Sequence, residues 1–351
     1  MFHLDGELEN LHRIVSEYFP VTGVLDDAGR PAFTVQVPAD SKARFLALRR
    51  RVEPTGLLPL LRRRDDRVIL AFVPQPPPAR WRWQANAALF LATLLTTFAA
   101  GYINAQGLVG DGYLRSAVGG GLAFSLSLMA ILVTHEMGHK VLSVLRGVDS
   151  SLPYFIPMVP PLGTMGAVIV TRLPPPNRDA LIDVGAAGPI AGFLVAIPVL
   201  IFGVLNSFII RPTDFQGVNL PDPLLLRWMI AWLLHPPQDA VVLGHPMLFA
   251  GWIGLLVTSI NLLPASMLDG GHAVRALLGA RVHRVMTWVG IAVAFALGYY
   301  VMALLIAVMT RRNYPGPLDD VSPPSVSRAI IGVILAAIFI VSVVPIRISL
   351  R

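Results

Sequence analysis

The chain has 351 residues, of which 54% are hydrophobic and only 14% charged, and its mean hydropathy is +0.64. Soluble domains carry about 25% charged residues, so this composition excludes an ordinary soluble protein and points to a membrane protein. The net charge of +7 rests almost wholly on arginine, because Lys42 and Lys140 are the only lysines. In a membrane chain such an excess speaks to topology and attraction to anionic lipid, not to nucleic-acid binding. The sequence holds no cysteine, which excludes disulfides, thiolate zinc ligands and a cysteine nucleophile, so any metal must be held by His, Asp or Glu.

Residues 1–78 read as a small soluble α+β domain. Leu4, Leu8, Leu11, Ile14 and Val15 mark one face of a first helix. The stretch Met1–Glu17 is polar and amphipathic and has no signal-peptide core, so insertion is expected to rely on internal helices. Val21–Leu25, the turn Asp26-Asp27-Ala28-Gly29 and the alternating Phe33, Val35 and Val37 predict a β-hairpin. Ser41 reads as the N-cap of a second helix with Phe45, Leu48 and Val52 inward. A basic-acidic turn at Arg62–Asp66 precedes a last strand at Arg67–Val73. The arginines of 49–51 and 62–64 form a solvated face or touch lipid headgroups.

Pro74–Pro78 is a stiff linker, and Trp81 and Trp83 beside Arg80 and Arg82 form an interfacial anchor. Six spans follow, judged against the roughly 20 residues needed to cross a bilayer: 86–104, 117–145, 180–205, 246–267, 285–309 and 329–345. The third is capped by Asn177, and Pro221–Leu234 reads as an interfacial amphipathic helix. The expected division is linker and first span over 79–112, a core over 113–285, and two further spans over 286–351. Six spans put both termini on one side. The arginine balance favours the cytoplasm, with Lys140, Arg146 and Arg178 inside and Arg311, Arg312 and Arg328 outside.

The chemistry concentrates at His135-Glu136-Met137-Gly138-His139, closing an uncharged apolar run from Ala117 to Val133. Residues four apart share a helix face, so the two imidazoles can meet one metal ion while Glu136 reaches a water as base. Ionisable groups at the end of such a helix are costly to place and mark function. The alternative is a helix end whose polar residues simply face water. Asp269, followed by Gly270 and Gly271, is the best-placed third ligand, and His272 competes with it. Asn261 is two turns before Asp269 if one helix carries both. Its amide would serve an oxyanion, or else an interhelical hydrogen bond. Between the second and third spans, 150–172 is apolar but broken by Pro and Gly, with Gly163 and Gly166 at bends. A re-entrant β-hairpin fits, as does an ordinary packed loop; an unpaired edge there would accept an extended substrate.

Taken together, His135-Glu136-Met137-Gly138-His139, the 153–157 and 163–170 hairpin, Gly185-Ala186-Ala187-Gly188-Pro189, and Asn261-x-x-Pro264-x-x-x-Leu268-Asp269-Gly270-Gly271 resemble the site-2 protease family of intramembrane zinc metalloproteases. The six-span branch without a PDZ domain is the most similar. The resemblance covers roughly residues 117–285. It implies a polytopic α-helical fold with a three-helix catalytic core and one zinc ion held by His135, His139 and Asp269. It also implies Glu136 as the base and a transmembrane protein as substrate. Asn261 would help hold the oxyanion, and Gly163, Gly166, Ala167 and Val168 would form the substrate-binding edge. The expected location is the cell membrane, multi-pass, with cytoplasmic termini; the oligomeric state is left open. The competing expectations are a metal or solute transporter using the His/Asp cluster, a membrane-anchored zincin with a cytoplasmic catalytic domain, and a non-catalytic binding protein on the same fold.

Overall fold

The computed structural model describes residues 2–27, 30–79, 81–212, 220–237, 239–310 and 316–345, with the side chains of 2–7 and 26 outside the described set. The expectations on Leu4, Ala28, Gly29, Arg80, Arg311, Arg312, Arg347 and Arg351 therefore lie outside the described residues.

The amino-terminal part contains α1 (Phe2–Tyr18), β1 (Val21–Asp26), β2 (Pro31–Val35), α2 (Ser41–Val52), β3 (Leu57–Arg64) and β4 (Arg67–Pro74). The strands form an antiparallel sheet in the order β1-β2-β4-β3. Alternating apolar residues put Phe33, Val35, Leu58, Leu70 and Phe72 on one face, where Val15, Phe19, Phe45 and Leu48 of the helices cover them. Two local expectations are corrected. Asp40 occupies the N-cap of α2, while Ser41 is buried and its hydroxyl meets that of Ser322 at 2.8 Å. Arg62–Arg64 end β3, and the turn is confined to Asp65-Asp66, because the apolar run before the arginines pairs along all of β4.

The remainder is largely helical: α3 (Trp83–Gly110), α4 (Ala117–Leu145), a hairpin of β5 (Tyr154–Pro157) and β6 (Thr164–Val168), α5 (Arg178–Leu205), β7 (Phe208–Ile210), α6 (Leu224–Leu233), β8 (Val241–Leu243), α7 (Pro246–Asn261), α8 (Asp269–Ala296), α9 (Tyr300–Thr310) and α10 (Ser327–Ser342). Among the described residues, four helices, α3, α4, α5 and α8, are long and apolar enough to cross a membrane, and α6, α7, α9 and α10 are shorter apolar helices. The Asn177 carboxamide caps α5 by accepting from the Ala180 amide at 2.9 Å. On α6, Leu226 is buried while Trp228 and Trp232 stay exposed.

Three expected spans differ, and the last of them, 329–345, is the 16-residue helix α10, shorter than a span needs. The segment 246–267 is helical only to Asn261, and Asp269 opens α8 instead of closing α7. The intervening turn folds so tightly over α8 that a Cβ on Gly270 would lie 2.1 Å from the Leu262 carbonyl oxygen. The segment 285–309 is divided between α8 and α9 by a break at Leu297–Tyr299, and residues 299–306 pack back beside 263–265 and 294. Hence Arg328, expected on the far side from Arg146, shares the Asp183 carboxylate with it. The start of α10 and the end of α4 lie at the same end of the bundle.

Residues 316–325 form a strap that joins the two parts. The Leu61 amide donates to the Leu318 carbonyl at 2.9 Å and the Asp320 amide to the Leu61 carbonyl at 3.2 Å. On the strap's other edge, the Leu318 and Asp319 amides donate to the Pro175 and Pro176 carbonyls at 2.8 and 3.0 Å. The strap therefore bridges the β3 edge of the amino-terminal sheet to the chain that enters α5. Leu173 and Leu318 are both buried in the amino-terminal core. Lys42 pairs with Asp179 at 2.8 Å, and Trp81 and Arg172 both reach Asp149.

Candidate metal centre

The site is built where α4, α5, the α7–α8 turn and the end of β6 meet. His135 and His139, one turn apart on α4, point their Nε2 atoms to a common point, 3.2 Å from one another. Asp269 at the start of α8 brings Oδ2 to 3.5 Å from His135 Nε2 and 3.4 Å from His139 Nε2. A tetrahedral zinc with bonds of about 2.1 Å places its ligand atoms roughly 3.4 Å apart. The three separations are those edges. Among the described residues these three form the one group of His, Asp and Glu side chains close enough to share an ion. The donor set fits zinc in chemistry too, since two imidazoles and one carboxylate leave a fourth vertex open.

Each ligand is held by its surroundings. His139 Nδ1 lies 2.7 Å from the Val184 carbonyl oxygen. A carbonyl only accepts, so Nδ1 carries the hydrogen, and Nε2 could present its lone pair to an ion. The helices approach closely enough for this because α4 and α5 meet on glycines. A Cβ on Gly138 would sit 2.5 Å from the Ala187 carbonyl oxygen, and one on Gly188 2.0 Å from His139 Nε2. Gly192 likewise makes room for the His135 ring.

Glu136 is buried, 8% exposed, and lines the same cavity, about 560 Å³ in volume, as the three ligands. Asn261 ends α7, not the helix that carries Asp269, and its amide nitrogen lies 3.4 Å from His135 Nε2. His272 lines the cavity one turn after Asp269, in space left by Gly185, but does not join the ligand group. Ala167, Val168 and Ile169 form one wall, and Leu173 to Pro175 continue it toward Gly316 of the strap.

Of the expected hairpin edge, Ala167 and Val168 line this cavity, and Gly163 and Gly166 do not. Gly163, with φ +78°, is pressed on α3, where a Cβ would meet the Thr96 carbonyl oxygen at 2.6 Å. Gly166, with φ +93°, borders open space. Among the described residues strand β6 pairs with β5 alone, and Phe155 packs edge-on against Phe90 of α3.

Sequence reasoning missed the Val184 carbonyl, which no side-chain pattern announces, and the ion cluster at Asp183. The spacing of Gly185, Gly188 and Gly192 along one face of α5 was the available signal for the close helix contact.

With this geometry in hand, comparison with known proteins is informative. The model of peptidase family M50 matches residues 123–305, more than half of the chain. The chain belongs to peptidase family M50. The matched region runs from the second turn of α4 into α9 and contains His135, His139 and Asp269. The protein of Arabidopsis thaliana named "Probable zinc metalloprotease EGY1, chloroplastic" is 34% identical over 191 residues, covering 52% of this chain and 32% of that protein. Its namesake in Oryza sativa subsp. japonica is 28% identical over 229 residues, 58% of this chain and 39% of that protein. The Arabidopsis protein named "Probable zinc metalloprotease EGY2, chloroplastic" is 29% identical over 248 residues, 65% of this chain and 42% of that protein. The chain thus spans less than half the length of these relatives. No solved structure matches it.

Proposed function

We propose that this M50 chain is a zinc metalloendopeptidase that hydrolyses peptide bonds in or near transmembrane segments of other membrane proteins. The observation that supports this most is the trio His135, His139 and Asp269 at tetrahedral separations beside the buried Glu136. The trio draws two of its members from a helix apolar enough to cross a membrane.

In this reading His135, His139 and Asp269 hold one zinc ion. Zinc bound there supplies Lewis acidity, polarising a carbonyl and bringing the pKa of a water toward neutrality. Glu136 accepts the proton of the attacking water and returns it to the leaving amine. Asn261 donates its amide hydrogen to the developing oxyanion. The scissile segment must be extended, because helical backbone hides its carbonyls, and the free edge of β6 at Ala167 and Val168 offers it a strand partner. The hairpin 150–172 is then re-entrant, covered by α3 on one side and the cavity on the other.

The placement that goes with this mechanism is a multi-pass protein of the cell membrane. Its amino-terminal domain, 1–78, and its strap lie on the cytoplasmic side, from which water reaches the cavity. Segments 79–112, 113–285 and 286–351 supply the anchor span, the catalytic core and the covering helices. The partners are a transmembrane protein substrate and membrane lipid, with no role for nucleic acid. Nothing in the comparisons favours the transporter reading.

The test pairs metal content with cleavage. Wild type, Glu136→Gln and Asp269→Ala are purified in detergent, bound metal is quantified, and each is incubated with single-span substrates. The expected result is about one zinc and cleavage for wild type, zinc without cleavage for Glu136→Gln, and loss of zinc for Asp269→Ala. Cleavage by Glu136→Gln at the wild-type rate would remove Glu136 as the base.

A further inference from the structure

Asp183 lies one residue before Val184, the residue whose carbonyl takes the His139 Nδ1 hydrogen. Its side chain is 7% exposed, and two guanidinium groups converge on it. Arg328, at the start of α10, is bidentate, with Nε to Oδ1 at 3.1 Å and Nη2 to Oδ2 at 2.8 Å. Arg146, which follows the last turn of α4, pairs with Oδ2. Arg146 is seven residues beyond His139, two helical turns, and so on the same face of α4 as the ligand. The α4–α5 contact is thus clamped on both sides of the His139 ring. Toward the bundle interior Gly138 sits against the Ala187 carbonyl. Toward the end of the bundle Arg146 holds Asp183.

We infer that Asp183 is a positioning residue for the metal centre. Through Arg146 it fixes the end of α4 against α5, so that the Val184 carbonyl stays in register with His139 Nδ1 and the imidazole keeps its Nε2 lone pair on the ion. Arg328 gives the buried carboxylate a second guanidinium partner, but lies on α10, which carries no ligand. This inference rests on the zinc reading for its affinity readout and extends it to residues outside the ligand set. Groups that orient a metal-bound histidine typically change metal affinity by about 10–100-fold when removed.

The nearest comparison lies one turn earlier on the same helix. Asp179 is also buried and also ion-paired, to Lys42, with Ser325 donating to it. It ties the strap and the amino-terminal domain to α5, and these partners, Lys42 and Ser325, lie outside α4.

The experiment measures zinc affinity by chelator competition for wild type, Asp183→Asn, Arg146→Gln, Arg328→Gln and Asp179→Asn in detergent. It also reads the His139 tautomer in metal-free protein by nitrogen-15 NMR. The expected result is a loss of zinc affinity of about 10-fold or more for Asp183→Asn and Arg146→Gln. The fraction of His139 protonated at Nδ1 should fall in the same two proteins. Arg328→Gln and Asp179→Asn should stay within about threefold of wild type, whatever their effect on thermal stability, and Asp183→Glu should recover part of the affinity. The arginine variants keep Asp183 paired with one guanidinium, so they fold even if Asp183→Asn does not. Equal affinities for Arg146→Gln and wild type, or equal losses for Arg146→Gln and Arg328→Gln, would overturn the inference. If wild type binds no zinc, the proposed function falls, and the His139 tautomer in metal-free protein still decides the positioning role.

Discussion

Ser41 and Ser322 stand 281 residues apart in sequence and meet hydroxyl to hydroxyl at 2.8 Å in a buried joint. This contact joins the first residue of α2 to the strap, and it can be tested by chemistry because the chain has no cysteine of its own. Ser41→Cys combined with Ser322→Cys is expected to form one disulfide under mild oxidation, seen as a mobility shift on a non-reducing gel. The oxidised protein should unfold at a higher temperature than the reduced one, since a crosslink closing so long a loop stabilises by about 2–4 kcal/mol. No crosslink under oxidation would place the strap elsewhere.

Gly188→Ala separates helix propensity from the needs of the site. In a helix interior Ala is favoured over Gly by about 1 kcal/mol. Here its Cβ would sit 2.0 Å from His139 Nε2, the atom proposed to bind the metal. The expected outcome is an intact helical circular-dichroism signal with zinc affinity reduced by about 10-fold or more. Undiminished zinc binding would mean that His139 does not hold this position.

The two hairpin glycines should respond differently. Both have positive φ, which costs a non-glycine residue roughly 1 kcal/mol. Gly163→Ala adds a collision with the Thr96 backbone, and Gly166→Ala faces open space. Gly163→Ala is therefore expected to raise hydrogen exchange throughout Tyr154–Val168, with Gly166→Ala changing little beyond its own turn. Exchange rates that rise equally would show that the hairpin does not lean on α3.

Acid should loosen the joint between the linker and the loop after α4 before it unfolds the bundle. Burial pushes the Asp149 carboxyl up, but the Trp81 indole and the Arg172 guanidinium outweigh it and hold the pKa below the ordinary value. A depressed carboxylate contributes stability above its unfolded pKa, and that contribution is lost as pH falls through the lower folded value. With an ordinary aspartate near pH 4, the joint is intact at neutrality and weakens only below about 4. Asp149→Asn should remove the acid-dependent step in the Trp81 fluorescence; an unchanged step would assign it to another group.

How legible these features were depended on whether their cause is local. The HExxH pairing follows from helix periodicity alone, and Asn177 as a cap follows from its own side chain. The bounds of the β5–β6 hairpin could be read from where Pro and Gly interrupt apolar residues. The end of α7 at Asn261 has a local signal in Pro264, which lacks an amide hydrogen and opposes a helix running through it, but the apolar pattern that runs on to Met267 masked it. Gly270 and Gly271 then let the turn fold back on α8, a tertiary contact. The strand character of Leu57–Arg64 was hidden by its arginines, which pair along β4 by backbone whatever their charge. Arg328 was placed on the wrong side because counting spans assumes each apolar segment crosses once, whereas residues 285–309 turn back at Leu297–Tyr299.

The strap is bonded along both edges, to Leu61 on one side and to Pro175 and Pro176 on the other. Removing the amino-terminal domain would therefore not release an independent neighbour. It would bare the Leu318 carbonyl and the Asp320 amide, which now bond to Leu61, together with the apolar side chains of Leu173 and Leu318. Such unpaired backbone groups recruit strands from other chains. A chain shortened to residues 79–351 is therefore expected to self-associate more than the full chain, measured by light scattering in detergent.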